Sequence, residues 1–159
     1  MTTMQEYKTF LGQVAKAAGL ATLEPDDEGL VSLRVEDEYT LNLQFIAATG
    51  KILCFVEVAQ LDQEAPKEAI YRELLVGTLF GKDTAGGYFS LEPESESVIY
   101  NYVFDANQAA AEPAEFANTL EKVLSLVDIW AGRIRDLKQP QQTAETAFDP
   151  RMDAFGLRI

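Results

Sequence analysis

The chain has 159 residues, 47% of them hydrophobic, with 13 basic against 26 acidic side chains and a net charge of -13. That size fits one domain with a core of its own, and the charge repels a phosphate backbone because the basic residues do not cluster. Histidine is absent from the sequence, which excludes Ser-His-Asp and Cys-His catalysis, histidine general bases and most zinc or non-haem iron sites.

Residues 4–18 place Met4, Tyr7, Leu11, Val14 and Ala18 at spacings of three and four, which predicts an amphipathic helix stopped by Gly19. After the charged turn at 24–29 the period changes to two. Val31, Leu33 and Val35 form one alternation, Leu41, Leu43 and Phe45 a second, and the run ILCFVEVAQL a third, so a three-stranded meander is expected. Opposed residues share a face. Pairing Val35 with Tyr39 sets Leu33 opposite Leu41 and Val31 opposite Leu43. A two-residue turn at Thr49-Gly50 would then set Phe45 opposite Cys54, Leu43 opposite Val56 and Leu41 opposite Val58. The other face carries Ser32, Arg34, Asn42 and Gln44 at one end and Ile46, Leu53 and Phe55 at the other.

Pro66 opens a second helix expected to run to Gly81. Its later turns hold Leu74, Leu75, Val76, Leu79 and Phe80 at almost every azimuth, and a helix apolar all round must be buried on more than one side. Short strands follow at 88–91 and 97–104. The small, polar stretch 105–113 leads into the longest helix, where Phe116, Leu120, Val123, Val127, Trp130, Ile134 and Leu137 repeat at four and three. Periodicity then stops, which divides the chain into a domain at 1–138 and a tail at 139–159. In the tail Phe148, Met152, Phe155 and Ile159 recur at four, three and four, one apolar stripe if the segment becomes helical, which would let it occupy a hydrophobic groove of its own or a neighbouring subunit in place of a partner.

Sites of chemistry are not apparent. Asp26-Asp27-Glu28 and Glu36-Asp37-Glu38 lack the ligand spacing of a calcium loop, and the glycines and lysine of residues 81–87 are in the wrong order for a phosphate loop. Cys54, the single cysteine, falls on the core face as an inert thiol. No catalytic residue, metal or cofactor is assigned, and the chain is read as a non-enzyme. With no signal-like start and no long apolar run it is expected to be soluble and cytoplasmic, without membrane insertion. What stands above background is surplus apolar surface on an acidic protein, the mark of a protein interface. A homodimer on residues 66–81 is expected, with Ile46, Leu53 and Phe55 in a groove for a second partner.

The stretches LCFVEVAQL, APKEAIYRELLVGTLFG, GGYFSLEPESESVIYNYVF and FANTLEKVLSLVDIW, with the element order, size and acidity, resemble the class I type III secretion chaperones of the Tir chaperone family over residues 4–137. The resemblance implies an α+β fold of helix, three strands, helix, two strands and helix, in which a twisted, mostly antiparallel sheet packs against the first and last helices. It implies dimerisation through the second helix and the neighbouring hairpin. It also implies that the client is an extended, non-globular segment near the N-terminus of a secreted effector, kept soluble for export. A general protein-binding adaptor or regulator of the same fold is the alternative. An acidic nucleic-acid mimic would need carboxylates ranked along one face, whereas here they sit in turns and on helix exteriors.

Overall fold

The structure is a computed structural model and describes residues 1–139. Its first helix, α1 (Met4–Ala18), begins where Thr3 and Glu6 cap each other. The Glu6 amide donates to the Thr3 hydroxyl, and the Glu6 carboxylate accepts from the Thr3 amide at 3.0 Å. The backbone amide of Thr2 leads a set of donors that hold this exposed carboxyl down at about 2. Gly19, at φ 66°, ends the helix in the left-handed region.

The strands are β1 (Leu30–Val35), β2 (Tyr39–Ile46), β3 (Lys51–Gln60), β4 (Tyr88–Glu92) and β5 (Ser97–Asp105), with α2 (Lys67–Thr78) between β3 and β4. They form one sheet in the order β1-β2-β3-β5-β4, antiparallel throughout. A short helix, α3 (Ala106–Ala111), and a long one, α4 (Pro113–Lys138), complete the chain. The residues read as a small, polar connector thus contain α3, which Asp105 starts by accepting from the amides of Asn107 and Gln108.

The first hairpin has the expected register, Val35 opposite Tyr39 and Val31 opposite Leu43. The second is corrected by two residues: Leu41 faces Val56, Leu43 faces Cys54 and Phe45 faces Ile52. The cause is the turn. Ile46 pairs with Lys51, so four residues, Ala47–Gly50, make the connection, closed by the Thr49 amide on the Ile46 carbonyl at 3.1 Å. A slip of two leaves every side chain on its expected face, where a slip of one would have inverted them.

Inward-pointing Val31, Leu41, Leu43, Phe45, Ile52, Cys54, Val56, Val98 and Tyr100 are buried with Tyr7, Phe10, Leu11 and Val14 of α1 and with Phe116, Val123, Val127, Trp130 and Ile134 of α4. Aromatic contacts tie the layers. Tyr7 stacks on Phe45 with centroids 4.9 Å apart, and Phe10 meets the edge of Phe116 at 5.0 Å.

The second helix stops at Thr78 rather than Gly81. Phe80 (φ 57°) and Gly81 (φ 66°) are both left-handed, so residues 79–81 form a single tight turn. The Asp83 amide returns to the Gly77 carbonyl, and the Trp130 indole N–H donates to the Asp83 carbonyl at 2.9 Å. Gly77 lies flat against the Trp130 ring, where any Cβ would collide. Apart from Gln139, the proposed tail and its stripe at Phe148, Met152, Phe155 and Ile159 lie outside the described residues. Among the described residues no helix is long and apolar enough to cross a membrane.

Three outcomes are expected of this core. Leu43→Ala lowers stability in urea denaturation by about 2–5 kcal/mol. Gly77→Ala lowers the denaturation midpoint, because about 1 kcal/mol of helix propensity is outweighed by an overpacking cost of up to about 3 kcal/mol against buried Trp130. Burial pushes the Cys54 thiol up to about 12, so a thiol reagent at pH 8 modifies it no faster than the protein unfolds. Stoichiometric modification on mixing would contradict that placement.

Candidate protein-binding surfaces

The two-residue period that sends one set of side chains into the core sends the other to the opposite face of the sheet. In its middle rows the register aligns Gln44, Leu53 and Val103, and beside them Asn42, Phe55, Asn101 and Tyr88. Leu53 and Phe55 are half-buried by these neighbours, while Ile46, Val103 and Tyr88 are exposed. Ile46, Leu53, Phe55 and Val103 take no part in the buried cluster beneath the helices. The result is an apolar ridge of Ile46, Leu53, Phe55 and Val103 beside polar side chains, with Asn101 between Phe55 and Tyr88. Ser32 donates to Asn42 at 2.7 Å, Asn101 donates to Ser90 at 2.8 Å, and Lys51 pairs with Asp105 at 3.1 Å.

The structure brings Ile46, Leu53 and Phe55 together and adds Val103 and Tyr88, which sequence reasoning did not assign. The alternation in SVIYNYVF was visible, but its face depends on β5 pairing with β3 across an intervening helix and strand. That partner is non-local. Polar alternates such as Asn101 hid the apolar character of the row.

The second surface is α2. Ile70, Leu74 and Gly77 face inward, and Leu74 is buried. Leu75 (74% exposed), Val76, Leu79 and Phe80 (97% exposed) project outward. The five residues expected on one interface therefore divide, with Leu74 in the chain's own core and four in solvent. Between α2 and β4 runs an apolar crevice lined by Tyr71, Leu74, Leu75, Phe89, Leu91 and Val98. A third concavity, between α1, β1 and α4, is lined by Ala18, Leu20, Leu33, Val35, Leu120 and Leu124. The alternation shows only that Leu33 and Val35 face inward, not that the helices part over them.

The acidic turns serve the backbone. Asp26 accepts from the amides of Glu28 and Leu30 at 2.9 Å, and Asp105 caps α3. The Gly81–Gly87 segment is a packed connector whose Thr84 is fully buried and whose Thr84 carbonyl accepts from Tyr100 at 2.7 Å. Among the described residues no group of three His, Cys, Asp or Glu side chains could hold a metal ion. The surfaces can bind protein, and their chemistry is burial of apolar side chains and pairing at strand edges.

The comparisons agree with this geometry. Among solved structures, a chain of the ExsC–ExsE complex aligns with TM-score 0.71 at 21% identity, over 84% of this chain and 97% of that one. A chain of the HopA1–SchA chaperone–effector complex aligns with TM-score 0.62 at 17% identity, over 86% and 99%. One from the ExoT–SpcS complex of Pseudomonas aeruginosa aligns with TM-score 0.55 at 20% identity, over 80% and 98%. A search of curated proteins returned no match. At these identities the structural likenesses speak for the fold. The sequence profile of the Tir chaperone protein (CesT) family matches residues 9–131, from α1 through the whole sheet and α2 into α4, and the chain belongs to that family.

Proposed function

We propose that the protein is a cytoplasmic, homodimeric type III secretion chaperone that holds an extended, non-globular segment near the N-terminus of an effector and keeps it soluble and ready for export. The observation that carries this reading is an apolar ridge outside the buried cluster, on the sheet face away from the helices, in a member of a chaperone family. Structural neighbours such as the HopA1–SchA complex of chaperone with effector support it.

The client's apolar side chains seat over Ile46, Leu53 and Phe55, with Val103 and Tyr88 extending the contact. Its backbone finds unpaired N–H and C=O groups on β1 and β4, the two edge strands. The second subunit covers Leu75, Val76, Leu79 and Phe80, with Leu74 packed behind them. No bond is made or broken. The work is to cover aggregation-prone surface, while a net charge of -13 keeps the loaded complex dispersed.

Two measurements test the assignment of residues. In the chain co-expressed with the N-terminal segment of an effector encoded beside it, Phe55→Ser weakens client binding at least tenfold, about 1.4 kcal/mol, with the urea midpoint nearly unchanged. Unfolding by this substitution would reverse the two faces. Leu75→Asp leaves the subunit folded, since the side chain is in solvent there, and converts a dimer to a monomer in light scattering. A variant that stays dimeric places the interface elsewhere.

A further inference from the structure

Phe80 is 97% exposed, and its backbone sits at φ 57°, a left-handed conformation that a bulky side chain adopts only under strain. Glycine fits such a turn freely, and Gly81 takes the same conformation beside it. The turn after α2 therefore carries a large aromatic ring where one is least tolerated, with no burial inside the chain to offset the strain.

The crevice between α2 and β4 has the complementary shape. Its volume is about 380 Å³, more than the roughly 150 Å³ that holds a benzene ring. Leu74, Leu75, Phe89, Leu91 and Val98 make it apolar. Its walls are fixed from within the chain. Tyr71 donates to Glu96 at 3.4 Å, Lys67 holds the same carboxylate at 2.9 Å, and Phe89 meets Tyr100 and Trp130 edge-on at 5.6 and 4.8 Å. Thr78 lines this crevice, and Phe80, two residues on, does not.

Knob and hole thus lie a few residues apart, an arrangement that a twofold axis closes, since each copy gives one ring and receives one. We propose that Phe80 of each subunit seats in the α2–β4 crevice of the other, with the two α2 helices antiparallel about Leu75 and Val76. The proposal rests on the homodimer reading and deepens it. Leu75 belongs both to the crevice and to the outer face of α2, so the contact continues the surface already assigned to the second subunit. Phe80 and Tyr71 lie on opposite sides of that axis, each roughly 7 Å from it along the helix. An antiparallel crossing therefore sets each ring over the Tyr71 end of the opposite crevice. Parallel helices would set ring against ring and leave both crevices open. A client segment in the crevice would leave Phe80 strained and in solvent.

The test is complementation between two variants of the full chain. Phe80→Gly removes the ring and relaxes the turn, and Leu91→Asp puts a carboxylate into the crevice from an exposed position on the edge strand. Each variant alone weakens the dimer by about tenfold or more in sedimentation equilibrium, with the far-UV circular dichroism unchanged. In an equimolar mixture the Leu91→Asp chain still offers Phe80 and the Phe80→Gly chain still offers an intact crevice. One of the two contacts returns, and the mixture dimerises about threefold more tightly than either variant, half the effect on a logarithmic scale. A Phe80→Gly dimer as tight as the wild type, or a mixture no tighter than its components, would overturn the proposal and leave the homodimer standing. A monomeric wild-type chain would reject the homodimer reading and this contact with it.

Discussion

The side-chain period of a β-strand is two, so every residue that points into the core has neighbours that point out, and α1, α2 and α4 pack on the inward set. Val31, Leu43, Cys54 and Tyr100 are sealed. Ile46, Leu53, Phe55 and Val103 are left outside the buried cluster. From this follows the division of labour in the molecule. One face stabilises the fold, and the other is apolar surface held on a rigid support.

The placement of α2 depends on Trp130. Its ring meets Phe89 of β4 edge-on with centroids 4.8 Å apart, lies against the bare backbone of Gly77, and carries Arg133 over its face at 4.6 Å from the centroid. Its N–H holds the loop after α2 through the Asp83 carbonyl. A side chain at Gly77 would push α2 outward. Held this close, the helix buries Ile70 and Leu74 and turns Leu75, Val76, Leu79 and Phe80 to solvent. The left-handed Phe80 then holds its ring in solvent.

Much of this was legible in the sequence, because local periodicity reports local structure. The alternation of Val31, Leu33 and Val35 with Leu41, Leu43 and Phe45 specified the first hairpin to the residue. What escaped was set by geometry without a local mark. The Thr49-Gly50 signal marks a turn without revealing that Ala47 and Ala48 belong to it, hence the two-residue slip. The end of α2 was hidden because Phe80 adopts a conformation that its residue type does not announce. The outer ridge was half legible: β2 and β3 displayed Ile46, Leu53 and Phe55, but Val103 and Tyr88 join only through the non-local pairing of β5.

The central claim is that the bare sheet face receives the client, and side-chain footprinting addresses it most directly. The protein is labelled by carbene insertion alone and in complex with the N-terminal segment of its effector, and the modified residues are mapped. The account predicts labelling of Ile46, Leu53, Phe55 and Val103 in the free protein, strongest at Ile46 and Val103, and its loss in the complex, with Leu43 and Val56 silent in both. Undiminished labelling of those four residues in the complex, with protection confined to the groove beside Leu20 and Leu120, would contradict it.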